Sequence, residues 1–333
     1  MSQRIGVLGA GSWGTALGMH LARRGHRVWL WDISEKHVAD LRRDASNERY
    51  LPGIPFPAGL SADSDLDAVC GQSDHLLVVT PSHAFVETLE KVRPCLSPDS
   101  GLAWATKGFE PGSARLLHEV AEDALGPDVP LALITGPSFA REVAENLPTA
   151  VTVAASTPEF GAAWAAWLHG DNFRAYYTAD LAGAELGGAL KNVLAVACGI
   201  ADGLGLGGNT RAALITRGLA EMMRLGRALG ASPLTLTGLA GVGDLVLTCT
   251  GDLSRNRRLG LALAEGKSLD QAVEDIGQVV EAVRTTEEAM RLAARYQVDM
   301  PITEQVHGIL FEGWSAREGV ARLMQRELKP ETE

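Results

Sequence analysis

Near the amino terminus, residues 4–8 form a short apolar run that leads directly into Gly9-Ala10-Gly11-Ser12-Trp13-Gly14. Residues 15–24 then place Ala16, Leu17, Met19, His20 and Leu21 at helical spacing, Gly25 closes the segment, and residues 28–31 form a second apolar run ending at Asp32. Strand, glycines, helix and strand in that order form a dinucleotide-binding βαβ unit. In such a unit Gly9 permits the tight turn, Gly11 lets the backbone approach a pyrophosphate, and Gly14 lets the helix pack closely on the strand. The helix amino terminus then presents free amides and a positive dipole end to the anion. Asp32 lies where an acidic side chain accepts from the ribose hydroxyls and repels a 2′-phosphate. Its alternative role is to cap the next helix, with Ser34 as a competing cap.

Further strand-like runs follow at 75–80, 101–106, 131–135, 150–154 and 173–178, with helical segments such as 84–92 and 114–125 between them. This alternation predicts an α/β fold: a Rossmann-like, mainly parallel sheet with helices on both faces. Ligands bind beyond the carboxyl ends of such strands. That draws attention to Pro81-Ser82-His83, Lys107-Gly108 and Gly136-Pro137-Ser138-Phe139-Ala140. After residue 180 the strand runs stop, and 182–200, 211–229, 257–264, 269–276, 281–296, 302–310 and 316–325 read as helices. The 333 residues therefore divide into a dinucleotide-binding domain, 1–180, and an all-α, substrate-binding domain, 181–333. No Pro- or Ser-rich linker separates them, so close packing is expected.

Three carboxyl-terminal segments concentrate polar chemistry. Lys191 sits in a helix that is apolar on nearly all sides, where lost hydration favours the neutral amine and acid–base use; the alternative is a snorkelling lysine with a wet head. Asp244 lies in the apolar, glycine-rich stretch 238–248, as either a functional carboxylate or a helix cap. Ser254-Arg255-Asn256-Arg257-Arg258 sets three guanidiniums and two small polar donors before an apolar helix, suited to a phosphate clamp or to a solvated basic turn.

Composition narrows the function classes. Hydrophobic residues make up 46% of the chain and charged residues 21%, too apolar for a disordered chain. The formal net charge of −11 disfavours nucleic-acid or anionic-membrane partners, which need a basic face, but leaves room for a small anionic substrate. The apolar stretch 181–208 is interrupted by Glu185, Lys191 and Asp202, so no membrane span is expected. Four scattered cysteines, Cys70, Cys95, Cys198 and Cys249, form no disulfide or zinc pattern. No metal ligand cluster and no export signal is evident, which points to a cytoplasmic protein with reduced thiols.

Seven ordered motifs, GAGSWGTA (9–16), WATKG (104–108), GPSFA (136–140), LKNV (190–193), GVGDLVLTC (241–249), SRNRR (254–258) and GQVVE (277–281), resemble those of the bacterial NAD(P)-dependent glycerol-3-phosphate dehydrogenase family over nearly the whole chain. The resemblance implies reversible NAD(P)H-dependent reduction of dihydroxyacetone phosphate to sn-glycerol 3-phosphate for phospholipid synthesis. It implies Lys191 as proton donor and acceptor, with Lys107, Asp244 and Thr248 in the catalytic set. Gly136 and Ser138 would contact the substrate, together with Lys107, Lys191 and Asp244. Ser254, Arg255 and Asn256 would hold its phosphate. NAD(H) or NADP(H) would meet Gly9, Gly11, Ser12, Trp13, Gly14, Asp32, Lys107, Ala140, Arg255, Val279 and Glu281. Where the family often has Gly followed by His or Arg, this chain has Asp32 and Ile33, which points to NADH. A homodimer is implied by analogy. The rival readings are a related two-domain hydroxy-acid dehydrogenase and a non-catalytic NAD(H)-sensing protein.

Overall fold

The computed structural model describes residues 2–96, 100–328 and 330–331; positions 1, 332 and 333, at the ends of the two expected domains, lie outside the described residues. The first half alternates β1 (Arg4–Leu8), α1 (Ser12–Arg23), β2 (Arg27–Trp31), α2 (Glu35–Asp44), β3 (Leu60–Asp63), α3 (Leu66–Gln72), β4 (His75–Val78), α4 (Phe85–Val92) and β5 (Leu102–Trp104). It continues with α5 (Leu117–Leu125), β6 (Leu131–Thr135), α6 (Ala140–Ala144), β7 (Thr149–Ala155), α7 (Pro158–Leu168) and β8 (Phe173–Thr178). The eight strands form one sheet in the order β3-β2-β1-β4-β5-β6-β7-β8. Every pairing is parallel except β6 with β7, which is antiparallel. β1, β4, β5 and β6 carry near-continuous Val, Leu, Ile and Ala runs because helices cover both faces, leaving no solvent side for alternation. All five residues of β6 are buried.

The chain order reverses at β1, between β2 and β4. Loops leaving the carboxyl ends of β1 and β4 diverge there and open the crevice in which doubly wound sheets bind ligands. The glycine turn fits tightly into this corner: a Cβ on Gly14 would stand 1.9 Å from the Gly9 carbonyl oxygen.

The second half is helical: α8 (Leu181–Gly203), α9 (Gly207–Ala228), α10 (Pro233–Leu236), α11 (Asp244–Thr250), α12 (Arg255–Ala264), α13 (Leu269–Ile276), α14 (Glu281–Tyr296), α15 (Pro301–Phe311) and α16 (Ala316–Met324). A five-residue π-helical turn, Leu239–Gly243, runs directly into α11. α8 is the central element, buried along most of its length and packed against α9, α11, α12 and α14. By length and composition α8 and the segment Pro233–Thr250 could cross a membrane, but α8 is wholly inside the protein and the second segment is broken by the π turn.

The two halves share core. Phe109, Ala114 and Leu116, which follow β5 in the chain, pack with Leu186, Leu190 and Leu292 of the helical half. Leu181, Ala184 and Ala240 pack in turn against the sheet-side cluster of Val78, Trp104 and Leu133. Each fully buried aliphatic side chain of this kind contributes about 1.5–3 kcal/mol, so the halves are joined by a continuous apolar contact.

Candidate active site

Of the polar residues singled out by sequence, Lys107, Lys191, Asp244 and Thr248 meet where the carboxyl end of β5 faces α8 and α11. Lys107 follows β5 by way of Thr106, whose hydroxyl donates to the Thr80 carbonyl at 2.7 Å and so fixes the strand end against the neighbouring loop. Lys191 comes from the middle of α8 and is only 7% exposed, so its head is buried and does not snorkel. Asp244 arrives by a different route. A Cβ on Gly187 would lie 2.3 Å from the Ala240 carbonyl oxygen; the missing side chain lets the π turn rest directly on α8. Asp244 is the first residue of α11, which continues from the π turn through Gly243, and is 1% exposed. Its carboxylate does not cap the helix. Oδ1 accepts from Lys191 Nζ, and Oδ2 accepts from Lys107 Nζ at 2.7 Å. The Thr248 hydroxyl donates to the Asp244 carbonyl at 2.6 Å, with Oδ1 at 3.4 Å. π-helical turns recur at functional sites, and here the turn sets the carboxylate between two ammonium groups.

Burial pushes Lys191 down to about 7, an effect opposed by Asp244 and assisted by the charge of Lys107. Burial alone would raise the Asp244 carboxyl, but Lys107 and Lys191 together hold it below the usual carboxylate range. A permanently ionised carboxylate therefore sits beside an amine poised to exchange a proton near neutrality.

Ser254 caps α12, its hydroxyl accepting from the Arg257 amide at 3.2 Å. Asn256 links three helices: its amide donates to Asn192 Oδ1 on α8 at 2.8 Å and its oxygen accepts from the Ala282 amide at the start of α14, at 3.1 Å. Arg255 touches Gln278 Oε1 at 3.4 Å. Burial lowers its pKa, with Glu281 and Tyr50 opposing. Arg257 is committed elsewhere, to Asp202 at 2.7 and 2.9 Å and to Asp252 at 2.8 Å, and Arg258 is exposed. Within the basic run, Arg255 is the guanidinium that faces Glu281 and Tyr50. At the end of β6, Gly136 adopts φ +132°, which a side chain resists, and the Ser138 hydroxyl donates to its carbonyl at 2.9 Å. Ala140 opens α6.

The amino-terminal loop fits a dinucleotide. Gly9 has φ +115°, a Cβ on Gly11 would meet nothing within 4 Å, and α1 begins at Ser12 with no side chain capping its first amides. The Trp13 indole nitrogen is buried without a partner. Asp32 accepts from the Ala10 amide at 3.3 Å and the Ser34 amide at 3.0 Å, while Ser34 caps α2. Val279 is 47% exposed and Glu281 begins α14. Burial raises the Glu281 carboxyl, with Arg255 and Arg284 opposing.

Several contributors escaped the sequence reading. Asn47, fully buried, donates to the Ala10 carbonyl at 2.9 Å and to the Thr15 hydroxyl at 2.8 Å, tying the 45–56 loop to the glycine turn. Tyr50 in that loop faces Arg255. Nothing in the spacing of an irregular loop marks such residues; an asparagine between two apolar elements was the sole signal. Among the described residues, no group of three or more His, Cys, Asp or Glu side chains is placed to hold a metal.

A dinucleotide turn at the switch point, with a lysine–carboxylate–lysine cluster at the carboxyl edge of the same sheet, defines a nicotinamide-dependent oxidoreductase. Comparison with known proteins narrows the class. Residues 4–161 and 180–321 match the family profiles described as the amino and carboxyl termini of NAD-dependent glycerol-3-phosphate dehydrogenase, and the chain belongs to that family. It is 57% identical over 330 residues to glycerol-3-phosphate dehydrogenase [NAD(P)+] of Stenotrophomonas maltophilia, covering 99% of this chain and 97% of the relative. Among solved structures it resembles glycerol-3-phosphate dehydrogenase of Coxiella burnetii, with TM-score 0.94, 48% identity and coverage of 98% and 99% of the two chains. The yeast enzyme matches with TM-score 0.84 and 26% identity, over 98% of this chain and 100% of that one.

Proposed function

We propose that this enzyme interconverts dihydroxyacetone phosphate and sn-glycerol 3-phosphate, with Lys191 moving the proton. The observation that carries this reading is the single Asp244 carboxylate shared between Lys191 and Lys107 at the sheet edge. When bound, the reduced nicotinamide supplies the hydride that reaches C2 of the ketone. The Lys191 ammonium gives a proton to the carbonyl oxygen, and the neutral amine takes it back from the C2 hydroxyl in reverse. A pKa of about 7 suits both directions. Asp244 orients Lys191, Thr248 steadies Asp244 through its carbonyl, and Lys107 polarises the ketone oxygen. Ser254, Arg255 and Asn256 hold the phosphate at the amino end of α12, where the helix dipole and a charge-assisted guanidinium contact favour an anion. Gly136 and Ser138 border the substrate.

On the cofactor side, Gly9, Gly11, Ser12, Trp13 and Gly14 take the pyrophosphate and Asp32 the ribose. Ala140, Val279 and Glu281 line the remaining length of the dinucleotide. Asp32 makes NADH the preferred cofactor. The family resemblance extends the proposal to a cytoplasmic homodimer making phospholipid precursor, and to a division of labour between residues 1–180 and 181–333. Initial rates of NADH and NADPH oxidation by the purified protein with dihydroxyacetone phosphate test the reaction. Turnover is expected with both and faster with NADH; no turnover with either overturns the reading.

A further inference from the structure

The segment that leaves Lys107 does not stay with the sheet. Gly108 turns with φ +123°, and residues 109–116 fold into a compact loop in which the Glu110 amide donates to the Arg115 carbonyl at 3.0 Å and the Ala114 amide to the Glu110 carbonyl at 3.0 Å. Gly112 and Ala114 hold φ +83° and +58°, an alanine conformation that persists only where the surroundings enforce it. Ala114 is itself fully buried, and three α14 side chains hold the two residues before it. Glu288, 6% exposed, accepts from the Gly112 amide through Oε1 at 2.7 Å. Arg291 donates to the Gly112 carbonyl at 2.7 Å, and Arg295 to the Ser113 carbonyl at 2.7 Å. The Gly112 residue is thus held on both its polar backbone groups. α14 is also the helix that starts at Glu281 and receives Asn256 at its first turn.

We infer that Glu288 is a positioning residue for Lys107: by holding Gly112 to α14, it fixes the reach of the lysine toward Asp244 and the substrate. This rests on the role proposed above for Lys107. Loss of the carboxylate leaves the Gly112 amide without its acceptor and removes one side of the clamp completed by Arg291 and Arg295, while Phe109, Ala114 and Leu116 keep the ends of the loop seated in the helical core. The backbone between Gly108 and Gly112 then relaxes and Lys107 shifts relative to Asp244; displacements of about 1 Å near reacting atoms cost on the order of 100-fold in rate. The titratable groups facing Lys191 are Asp244 and Cys249 from α11 and Lys107 from the end of β5. When Lys107 withdraws, a like charge leaves and Asp244 is no longer shared. Both changes favour the Lys191 ammonium, so the amine becomes available only at higher pH.

The experiment is the pH profile of kcat for glycerol 3-phosphate oxidation in the parent, Glu288→Ala, Glu288→Gln and Lys107→Ala, with folding checked by thermal melting. Glu288→Ala is expected to move the alkaline-rising limb upward by about half a pH unit or more and to lower kcat/KM by about 10–100-fold. Glu288→Gln keeps an oxygen that accepts from Gly112 and should restore the parent profile. If Lys107→Ala leaves the profile unmoved, the role of Lys107 is wrong. If Lys107→Ala moves it and Glu288→Ala does not, the positioning role of Glu288 is overturned. Should Glu288→Ala not fold, Arg291→Ala, which removes the bond to the Gly112 carbonyl from an exposed position, carries the same expectation at smaller size, and an unmoved profile there also overturns it.

Discussion

Lys107 and Lys191 hold opposite oxygens of the Asp244 carboxylate, one from the end of a strand and the other from the middle of the most buried helix. When Lys191 is protonated, two ammonium groups share one carboxylate, and the site then holds one surplus positive charge. The carbonyl oxygen of a bound ketone is the natural place for it to act, as charge develops there during reduction.

Removing the proton carrier should slow chemistry more than binding. Proton transfer by a positioned side chain contributes about 10²–10⁴ in rate, so Lys191→Met is expected to raise the barrier by about 3–5 kcal/mol. Single-turnover rates of NADH oxidation check this. A variant that keeps the parent kcat removes Lys191 from the mechanism.

The two directions should respond oppositely to pH. Reduction needs the Lys191 ammonium and oxidation the free amine. With the pKa lowered to about 7, kcat for ketone reduction should fall as pH rises above 7, and kcat for alcohol oxidation should rise through the same range. Profiles that run in parallel would contradict this assignment.

Arg255→Ala deletes the guanidinium available at the phosphate end of the site and leaves the reacting atoms alone. KM for dihydroxyacetone phosphate should rise about 10–100-fold, the size of a lost charged hydrogen bond, with kcat changed far less. Steady-state kinetics at saturating NADH decide it. An unchanged KM would put the phosphate elsewhere.

Asp32 accepts from Ala10 and Ser34, so replacing it disturbs the glycine turn for either cofactor. The useful readout is therefore a ratio. Asp32→Ser should lower the NADH-to-NADPH ratio of kcat/KM by about tenfold, as repulsion of the 2′-phosphate disappears. A constant ratio would free Asp32 from cofactor choice.

A separate acid-side effect is expected in stability. Glu221 on α9 is 1% exposed and accepts from the Ile302 and Thr303 amides and the Thr303 hydroxyl at the start of α15. Burial raises its carboxyl from 4.5 to about 7. A folded-state pKa above the unfolded one gives stability that is complete below the unfolded value and lost as pH rises through the folded one. Relative to Glu221→Gln, the parent should therefore lose on the order of 3 kcal/mol between about pH 4.5 and 7. Paired thermal melts across that range measure the difference, and equal pH dependence in the two proteins would refute it.

Much of the frame was legible because its signals are local. The glycine turn, the long parallel runs and the amphipathic helices follow from residue size and periodicity, and the spans expected for α13 and α14 coincide with those observed. β3 was not, because Leu60–Asp63 is only four residues long and half polar and is a strand only through its pairing with β2. Strand direction was equally silent: the antiparallel entry of β7 beside β6 leaves no trace in an apolar run. The glycine-rich 238–248 stretch left Asp244 as a functional carboxylate or a helix cap; it forms a π turn and a helix whose first residue is Asp244, resting on α8 where Gly187 lacks a side chain. For Lys191 and Asp244 the residues alone left two roles each. Only the packing of α11 on α8 separates a buried ion pair from a snorkelling lysine and a capping aspartate.

The shared core bears on how such an enzyme can be taken apart. Phe109, Ala114 and Leu116 are contributed by the strand-bearing half yet fill space between helices of the other. A helical fragment expressed alone would carry an open apolar socket in place of those three side chains, and its nucleotide-binding counterpart would bear three orphaned plugs. The helical region is therefore not a portable module to be fused to an unrelated nucleotide-binding sheet; a chimera that keeps it must also carry the short excursion that plugs it.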